Sequence, residues 1–292
     1  MRYKSGKDFR QALETRLRNE SIRTGAPLVR LRKTTAFERL LARLASAQPE
    51  RWVLKGGLAL QLRLGLEART TKDIDLLFLA AGRDAQALLT EAGALDLGDW
   101  FQFEIAPQGA LLGDSYRFRV RSLLDNRLFE QFHLDVGVGD PLFEPPEMIV
   151  LPDVLGFADI PPVHFRCYPV SQHLAEKMHA YTLPRKSGPS SRVKDLVDIL
   201  LLARTNVPDN LTLHQAMRMT FESRRTHPLP DRLPAPPSSW AAPYRRIAEE
   251  TGLPFSTLQE GWEAARIFLQ PVLTPTMRRI WIPQEWAWQD AD

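Results

Sequence analysis

Two aspartates inside an apolar strand, close behind a pair of glycines, constrain this fold more than any other feature. Residues 71–79 read TKDIDLLFL, an apolar run typical of a strand. Because side chains alternate across a strand, Asp73 and Asp75 share one face and Ile74 lies on the other. Two carboxylates placed in this way can share a metal ion. The pattern therefore predicts a strand that carries a cation site.

The glycine pair, Gly56 and Gly57, lies where a strand over residues 51–55 is predicted to turn into a helix over 57–66. Glycine lets the backbone approach an anion closely, and the first turn of a helix offers unpaired N–H groups at the positive end of its dipole. Such a pair is also common in ordinary strand-to-helix turns. Beside the two aspartates it predicts a nucleoside triphosphate (NTP) site.

Hydrophobic periodicity predicts an α+β fold, in which a mixed sheet with flanking helices is followed by a mainly helical part. Further strands are expected at 74–79, 101–105, 116–121 and 128–138, the last two forming a hairpin through Asp125 and Asn126. Helices are expected from a capping box at Thr35, over 86–92, from a cap at Ser171, and over 194–203. A loop rich in proline and glycine, 139–162, indicates an α/β domain over 1–150 and a helical domain over 151–292.

Composition limits the class of protein. The chain has 292 residues, 44% of them hydrophobic, and a single cysteine, Cys167, so a disulfide framework is excluded. Its first residues lack the apolar run of a signal peptide, and no stretch reaches the roughly 20 apolar residues of a membrane span. We therefore expect a cytoplasmic protein with no membrane partner.

Several motifs resemble those of the AbiEii/AbiGii (MenT-like) nucleotidyltransferase toxins, a branch of the nucleotidyltransferase superfamily. The first motif of that family resembles LKGGLAL at 54–60 together with RTTKDIDL at 69–76. The strand that brings a third carboxylate resembles FHLDV at 132–136, and the lysine and aspartate motifs resemble EKMHA at 176–180 and SRVKDLVD at 191–198. The resemblance covers residues 51–203 and implies a nucleotidyltransferase-type sheet, with the helical domain completing the NTP cleft.

The resemblance also implies roles for individual residues. The catalytic set is Asp73, Asp75, Asp135, Lys177, Asp195 and Asp198. The first three would bind metal, expected as two Mg²⁺ ions with Mn²⁺ as an alternative. The NTP-binding set is Lys55, Gly56, Gly57, Arg69, Lys177 and Arg192. Two alternatives stay open: Lys55 and Arg69 could instead pair with aspartates, and the Arg192, Asp195 and Asp198 helix face could be a surface ion network rather than a support for Lys177.

The function implied by the resemblance is transfer of a nucleoside monophosphate from an NTP to the 3′ end of tRNA. This reaction would block translation, and the chain would be the toxin of a bacterial toxin-antitoxin pair in phage defence (abortive infection), with an antitoxin as partner. Two alternatives remain: a nucleotidyltransferase that modifies a small molecule or a protein hydroxyl, and a nucleotide-binding protein without catalysis.

Charge is compatible with an RNA partner. The net charge is only +3, but residues 1–50 hold 12 lysines and arginines against 5 aspartates and glutamates. Arg117, Arg119 and Arg121 alternate along one strand face, and a basic loop follows at 183–191. These groups could form a track for an RNA backbone, or they could be solvated surface. Three tryptophans near the end of the chain, Trp281, Trp286 and Trp288, are expected to pack rather than to stack on bases.

Overall fold

The structure is a computed structural model that describes residues 2–79, 84–110, 115–184 and 192–291. Most of the predicted basic loop, from residue 185 to 191, therefore lies outside the described residues. The chain divides into two units. Unit 1 comprises Met1–Arg63, Thr70–Asp140 and Pro146–Cys167, and unit 2 comprises Leu64–Arg69, Pro141–Pro145 and Tyr168–Asp292. The predicted division near residue 150 stays a prediction.

Unit 1 is built on a seven-stranded mixed sheet. Its strands are β1 (Trp52–Lys55), β2 (Asp73–Phe78), β3 (Phe101–Ala110), β4 (Ser115–Leu124), β5 (Arg127–Val138), β6 (Glu147–Val150) and β7 (His164–Cys167). The strand order is β3-β4-β5-β2-β1-β7-β6. The β2–β5 and β1–β7 pairs are parallel and the other pairs are antiparallel. The predicted mixed sheet is confirmed.

The helices of the sheet region are α1 (Gly6–Thr24), α2 (Leu28–Ala47), α3 (Gly56–Leu64) and α4 (Ala85–Ala94). Helix α2 packs on the buried face of the sheet, where Phe37 meets Phe132 edge to face at 4.7 Å between ring centroids. The capping box predicted at Thr35 is wrong, because α2 begins at Leu28 and the Thr35 hydroxyl donates to the carbonyl oxygen of Leu31 inside the helix.

Local turn chemistry explains the β4–β5 hairpin. Asp125 and Asn126 have φ angles of 53° and 58°, and both belong to residue types that tolerate this left-handed region. The predicted hairpin is therefore confirmed. The predicted loop at 139–162 is only partly a loop, since it contains β6, an edge strand paired with β7. Four residues without proline are enough for a short edge strand, so the surrounding prolines did not prevent it.

Unit 2 is mainly helical. Its helices are α5 (Val170–Thr182), α6 (Val193–Thr205), α7 (Asn210–Arg224), α8 (Ala241–Thr251) and α9 (Leu258–Leu273), followed by a hairpin of β8 (Arg279–Ile282) and β9 (Ala287–Asp290). The cap predicted at Ser171 is wrong, because α5 begins at Val170 after Pro169 and the Ser171 hydroxyl bonds to Glu144 instead. No helix in the described part of the chain is both long and apolar enough to cross a bilayer.

The terminal tryptophans pack as predicted. The Trp281 side chain is fully buried, and its indole N–H donates to the carbonyl oxygen of Ala203 at 2.7 Å. Trp286 and Trp288 donate in the same way to carbonyl oxygens of α9. Buried indoles that satisfy their N–H groups on backbone carbonyls anchor the hairpin to the helices.

Candidate active site

Sheet register brings three aspartates of unit 1 together. In the parallel β2–β5 pair, Asp75 lies opposite Asp135 and Asp73 lies opposite His133. Since neighbouring residues in register point to the same side of a sheet, Asp73, Asp75 and Asp135 share one face. Ile74 is fully buried on the other face. The predicted strand and the predicted orientation of its aspartates are therefore what the structure shows.

The turn at Gly56 requires glycine for two reasons. Its φ is +68°, in the left-handed region, and a Cβ atom there would lie 2.0 Å from Oδ2 of Asp75. The carboxylate of Asp75 thus fills the space that a side chain at position 56 would need. Gly57 follows in the first turn of α3, where backbone N–H groups have no partner within the helix.

Asp135 is held by Arg117 from the neighbouring strand. Nε of Arg117 donates to Oδ1 of Asp135 at 2.7 Å, and Nη2 donates to Oδ2 at 2.6 Å. This two-pronged contact raises the pKa of Arg117, and the charges of Asp73 and Asp75 act in the same direction. One guanidinium therefore sits within the field of all three carboxylates.

Two further contacts in unit 1 each join an aspartate to a basic side chain. Nδ1 of His133 is 3.3 Å from Oδ1 of Asp73, whose side chain is 40% exposed. Lys55 pairs with Asp140, with 2.8 Å between Nζ and Oδ2. Of the two interpretations open for Lys55, the structure shows the pairing with an aspartate.

Gln61 of α3 positions the approach to the aspartate strand. Its side-chain oxygen accepts from the backbone N–H of Thr71 at 3.3 Å, and its amide nitrogen donates to Thr34 at 2.9 Å. The Thr71 hydroxyl in turn donates to the carbonyl oxygen of Asp73. The helix that follows the glycines is thus tied directly to the segment that enters β2.

The donor set fits a hard divalent cation. Carboxylate oxygens are the ligands that Mg²⁺ prefers, and the shared face carries three carboxylates. Among the described residues, no group of three or more acidic, histidine or cysteine side chains stands arranged to hold a metal ion. The Arg117 guanidinium meanwhile lies on Asp135, so that face already accommodates a positive charge.

A second charged cluster lies within unit 2. Nζ of Lys177, on α5, is 2.7 Å from Oδ2 of Asp198 and 3.1 Å from Oδ1 of Asp195, both on α6. Arg69 binds both oxygens of Asp198 at 2.9 Å, and Arg192 contacts Asp195 at 3.2 Å. The sequence left open whether these aspartates form a surface network or support Lys177, and the structure shows them in contact with Lys177 and buried.

Burial sets the electrostatics of this cluster. Desolvation alone would lower the pKa of Lys177, but the charges of Asp198 and Asp195 outweigh it and the pKa is raised. Desolvation would likewise raise the pKa of Asp198, yet Lys177 and Arg69 bring it below its ordinary value. Lys177 and Asp198 are therefore both charged at neutral pH, each stabilised by the other.

The structure thus groups the predicted site residues within their own units. Asp73, Asp75, Asp135, Lys55, Gly56 and Gly57 belong to unit 1, whereas Lys177, Asp195, Asp198, Arg69 and Arg192 belong to unit 2. Sequence reasoning missed Arg117 and His133 as partners of the aspartates, and it missed Asp140 as the partner of Lys55. The alternation of Arg117 with buried residues placed it on a strand face, but only the register of β4 against β5 identifies Asp135 as its neighbour.

A solved structure with a TM-score above 0.5 supports the fold. MenT4, a nucleotidyltransferase toxin from Mycobacterium tuberculosis H37Rv, is similar with a TM-score of 0.56 and 16% identity, over 89% of this chain and 96% of that chain. An antigenic nucleotidyltransferase-like protein from Paracoccidioides brasiliensis has a TM-score of 0.42 and 16% identity, over 66% and 89% of the two chains. The antibiotic-resistance factor ANT(2″)-Ia has a TM-score of 0.37 and 19% identity, over 66% and 92%.

Curated proteins gave no match to this chain. The family model described as nucleotidyl transferase AbiEii toxin, type IV toxin-antitoxin system, matches residues 39–289, which include both charged clusters. On this match the chain belongs to the AbiEii family of nucleotidyltransferase toxins.

Proposed function

We propose that this protein transfers a nucleoside monophosphate from an NTP to the 3′ end of tRNA in a Mg²⁺-dependent reaction. Translation would stop for lack of usable tRNA, and the activity would serve phage defence under the control of an antitoxin. The observation that carries the proposal is the shared face of Asp73, Asp75 and Asp135, with Asp75 packed against the Gly56 turn.

The reaction joins the 3′-hydroxyl oxygen of the acceptor to the α-phosphorus of the NTP, and the bond from that phosphorus to pyrophosphate breaks. Asp73, Asp75 and Asp135 would hold Mg²⁺. A cation bound there would polarise the hydroxyl, whose proton is released to solvent, and would neutralise the charge that develops on the phosphate oxygens. The Gly56 turn lets the backbone come close to phosphate, and the first N–H groups of α3 can bind its oxygens.

Lys177 is proposed to bind the β- or γ-phosphate. Its ammonium is held between Asp195 and Asp198, so its position is fixed before the nucleotide arrives. Positioning in advance reduces the entropy lost on binding. The Lys177 side chain is 13% exposed.

The surface of β4 favours a polyanionic acceptor over a small molecule. Arg119 and Arg121 continue the strand face that begins with Arg117, and both are exposed. Arg121 pairs with Glu104 across the β3–β4 ladder, and Arg119 lies opposite His133. A row of cations that starts at the carboxylates can bind successive phosphates of an RNA strand.

The test is to incubate the purified protein with total bacterial tRNA, Mg²⁺ and each α-labelled NTP in turn. We expect label in tRNA from one NTP, and a loss of at least about 100-fold in the Asp73→Asn and Asp75→Asn variants, as for removal of transition-state electrostatics. Glu91→Gln removes an exposed carboxylate of α4 and should label tRNA as the wild type does.

Other outcomes would contradict parts of the proposal. Label in an added aminoglycoside or in protein, with tRNA unlabelled, would replace the acceptor and keep the aspartates. Full activity of the Asp73→Asn and Asp75→Asn variants would refute the assignment of the catalytic face itself.

A further inference from the structure

Arg117 is bound to the carboxylate of Asp135, which the proposed function assigns to a metal ion. Both oxygens of Asp135 accept from its guanidinium, at 2.7 and 2.6 Å. We propose that Arg117 is a positioning residue that competes with a divalent cation for Asp135 and so weakens metal binding in the absence of substrate. This inference rests on the proposed function and adds a form of regulation to the same site.

The geometry makes the competition direct. A guanidinium that binds a carboxylate through two parallel N–H groups uses both oxygens at once. A cation that coordinates Asp135 must either displace one of these bonds or use the remaining lone pairs, where the adjacent Arg117 charge repels it. The Arg117 contact therefore disfavours metal binding at Asp135.

The three acidic positions are not equivalent in this respect. Asp73 has His133 at 3.3 Å, a longer contact to a group that carries charge only when protonated. Asp135 has a permanent cation, and its side chain is 18% exposed against 40% for Asp73. Of Asp73 and Asp135, the latter therefore presents the greater energetic barrier to metal binding.

The Arg117 side chain can bind another partner when it releases Asp135. Its side chain is 39% exposed, and it begins the row of arginines on β4. Phosphate accepts the same two-pronged hydrogen bonds as carboxylate. A phosphate of the NTP or of RNA can therefore take over the guanidinium and free Asp135 for the cation, which couples metal binding to the arrival of substrate.

The test measures Mn²⁺ binding to the full chain without nucleotide, by calorimetry and by loss of the free-ion electron paramagnetic resonance signal. Arg117→Gln should bind Mn²⁺ about tenfold more tightly than the wild type, since one unit charge is removed next to the ligand. Arg121→Gln breaks an arginine–glutamate pair on the same strand face, and Arg119→Gln removes an exposed charge. Both controls should stay within about twofold of the wild type, because neither guanidinium is bound to Asp135.

A cycle with Asp135→Asn isolates the pair. In that background Arg117→Gln should give no gain in Mn²⁺ affinity, and a gain that persists would show a general charge effect and overturn the proposal. Arg117→Lys keeps the charge but cannot make the two parallel hydrogen bonds, so its Mn²⁺ affinity should fall between those of the wild type and Arg117→Gln. If Arg117→Gln does not fold, Arg117→Lys takes its place in the test.

The two proposals fail in distinguishable ways. If wild-type binding is lost in Asp73→Asn but unchanged in Arg117→Gln, the metal site stands and the competition is refuted. If Mn²⁺ binds equally to the wild type, Asp73→Asn and Asp135→Asn, the ion does not use this face, and the metal assignment of the proposed function falls together with the competition.

Discussion

Replacing Gly56 with alanine should inactivate the enzyme while leaving most of its stability in place. Two separate effects act at this position. The backbone has φ +68°, and the new Cβ would lie 2.0 Å from Oδ2 and 2.6 Å from the carboxyl carbon of Asp75. The first effect acts on folding and the second acts on the aspartate that we assign to catalysis.

The magnitudes follow from these distances. A residue with a Cβ in the left-handed region costs about 1–2 kcal/mol of folding free energy. Non-bonded carbon and oxygen atoms settle at roughly 3.5 Å, so the Asp75 carboxyl must move by about 1 Å or more. A misplacement of about 1 Å in a catalytic group lowers the rate by roughly 100-fold.

Gly25 supplies the matched control. It has φ +72° at the end of α1, and a Cβ there would meet no atom within 4 Å. Gly25→Ala should lose about 1–2 kcal/mol in urea unfolding. Gly56→Ala should lose at least as much, because its new Cβ would also lie 2.8 Å from Cβ of Asp75. Only Gly56→Ala should lose transfer of label to tRNA. Activity of Gly56→Ala within a few-fold of Gly25→Ala would refute the reasoning, because Asp75 could then leave its observed place without consequence.

Two further predictions concern charged groups elsewhere. In a titration of the folded variant, Lys177→Ala should weaken NTP binding at least about tenfold, which is the usual cost of losing a charge-assisted contact. The control is Lys194→Ala, which removes an exposed lysine. If both variants bind NTP with the same, unchanged affinity, the role of Lys177 is structural alone. Burial raises the pKa of Glu38 to about 7. Because its folded-state pKa lies above its unfolded one, stability should fall by about 3 kcal/mol as pH rises from 4.5 to 7. Urea unfolding at pH 5 and pH 8 should show this loss in the wild type and in Glu91→Gln but not in Glu38→Gln.

Local rules were sufficient to predict the strand at the centre of the candidate site. The alternation around Asp73 and Asp75 fixed their common face, because Ile74 and Leu76 are buried on the opposite one. The turn residues Asp125 and Asn126 likewise predicted the hairpin that brings β4 beside β5. Both patterns are short in sequence, so the residues next to each other are enough to predict the orientation of the aspartates and the hairpin turn.

Partners across the sheet were not predictable in the same way. The contact of Arg117 with Asp135 depends on which residues face each other between strands, and that of Lys55 with Asp140 joins β1 to the segment that follows β5. Edge strand β6 was missed for a related reason, because its four residues gain their order only from pairing with β7. Such contacts depend on how distant segments are placed against each other, and hydrophobic periodicity along one segment does not predict that placement.

Exposure separates the aspartates that stabilise the fold from those that are accessible to a ligand. Asp198 is 1% exposed and has two cations within 2.9 Å, so its charge is compensated inside unit 2, and its removal would take from Lys177 the nearer of its two aspartate partners. Asp73 is 40% exposed, and its ion-pair partner among the described residues is His133 at 3.3 Å, so little folding energy depends on it and its oxygens remain accessible to a ligand. Asp135 lies between these extremes, since one half-exposed arginine compensates it. Because phosphate can displace Arg117 from Asp135, such a site can bind its cation together with its substrate.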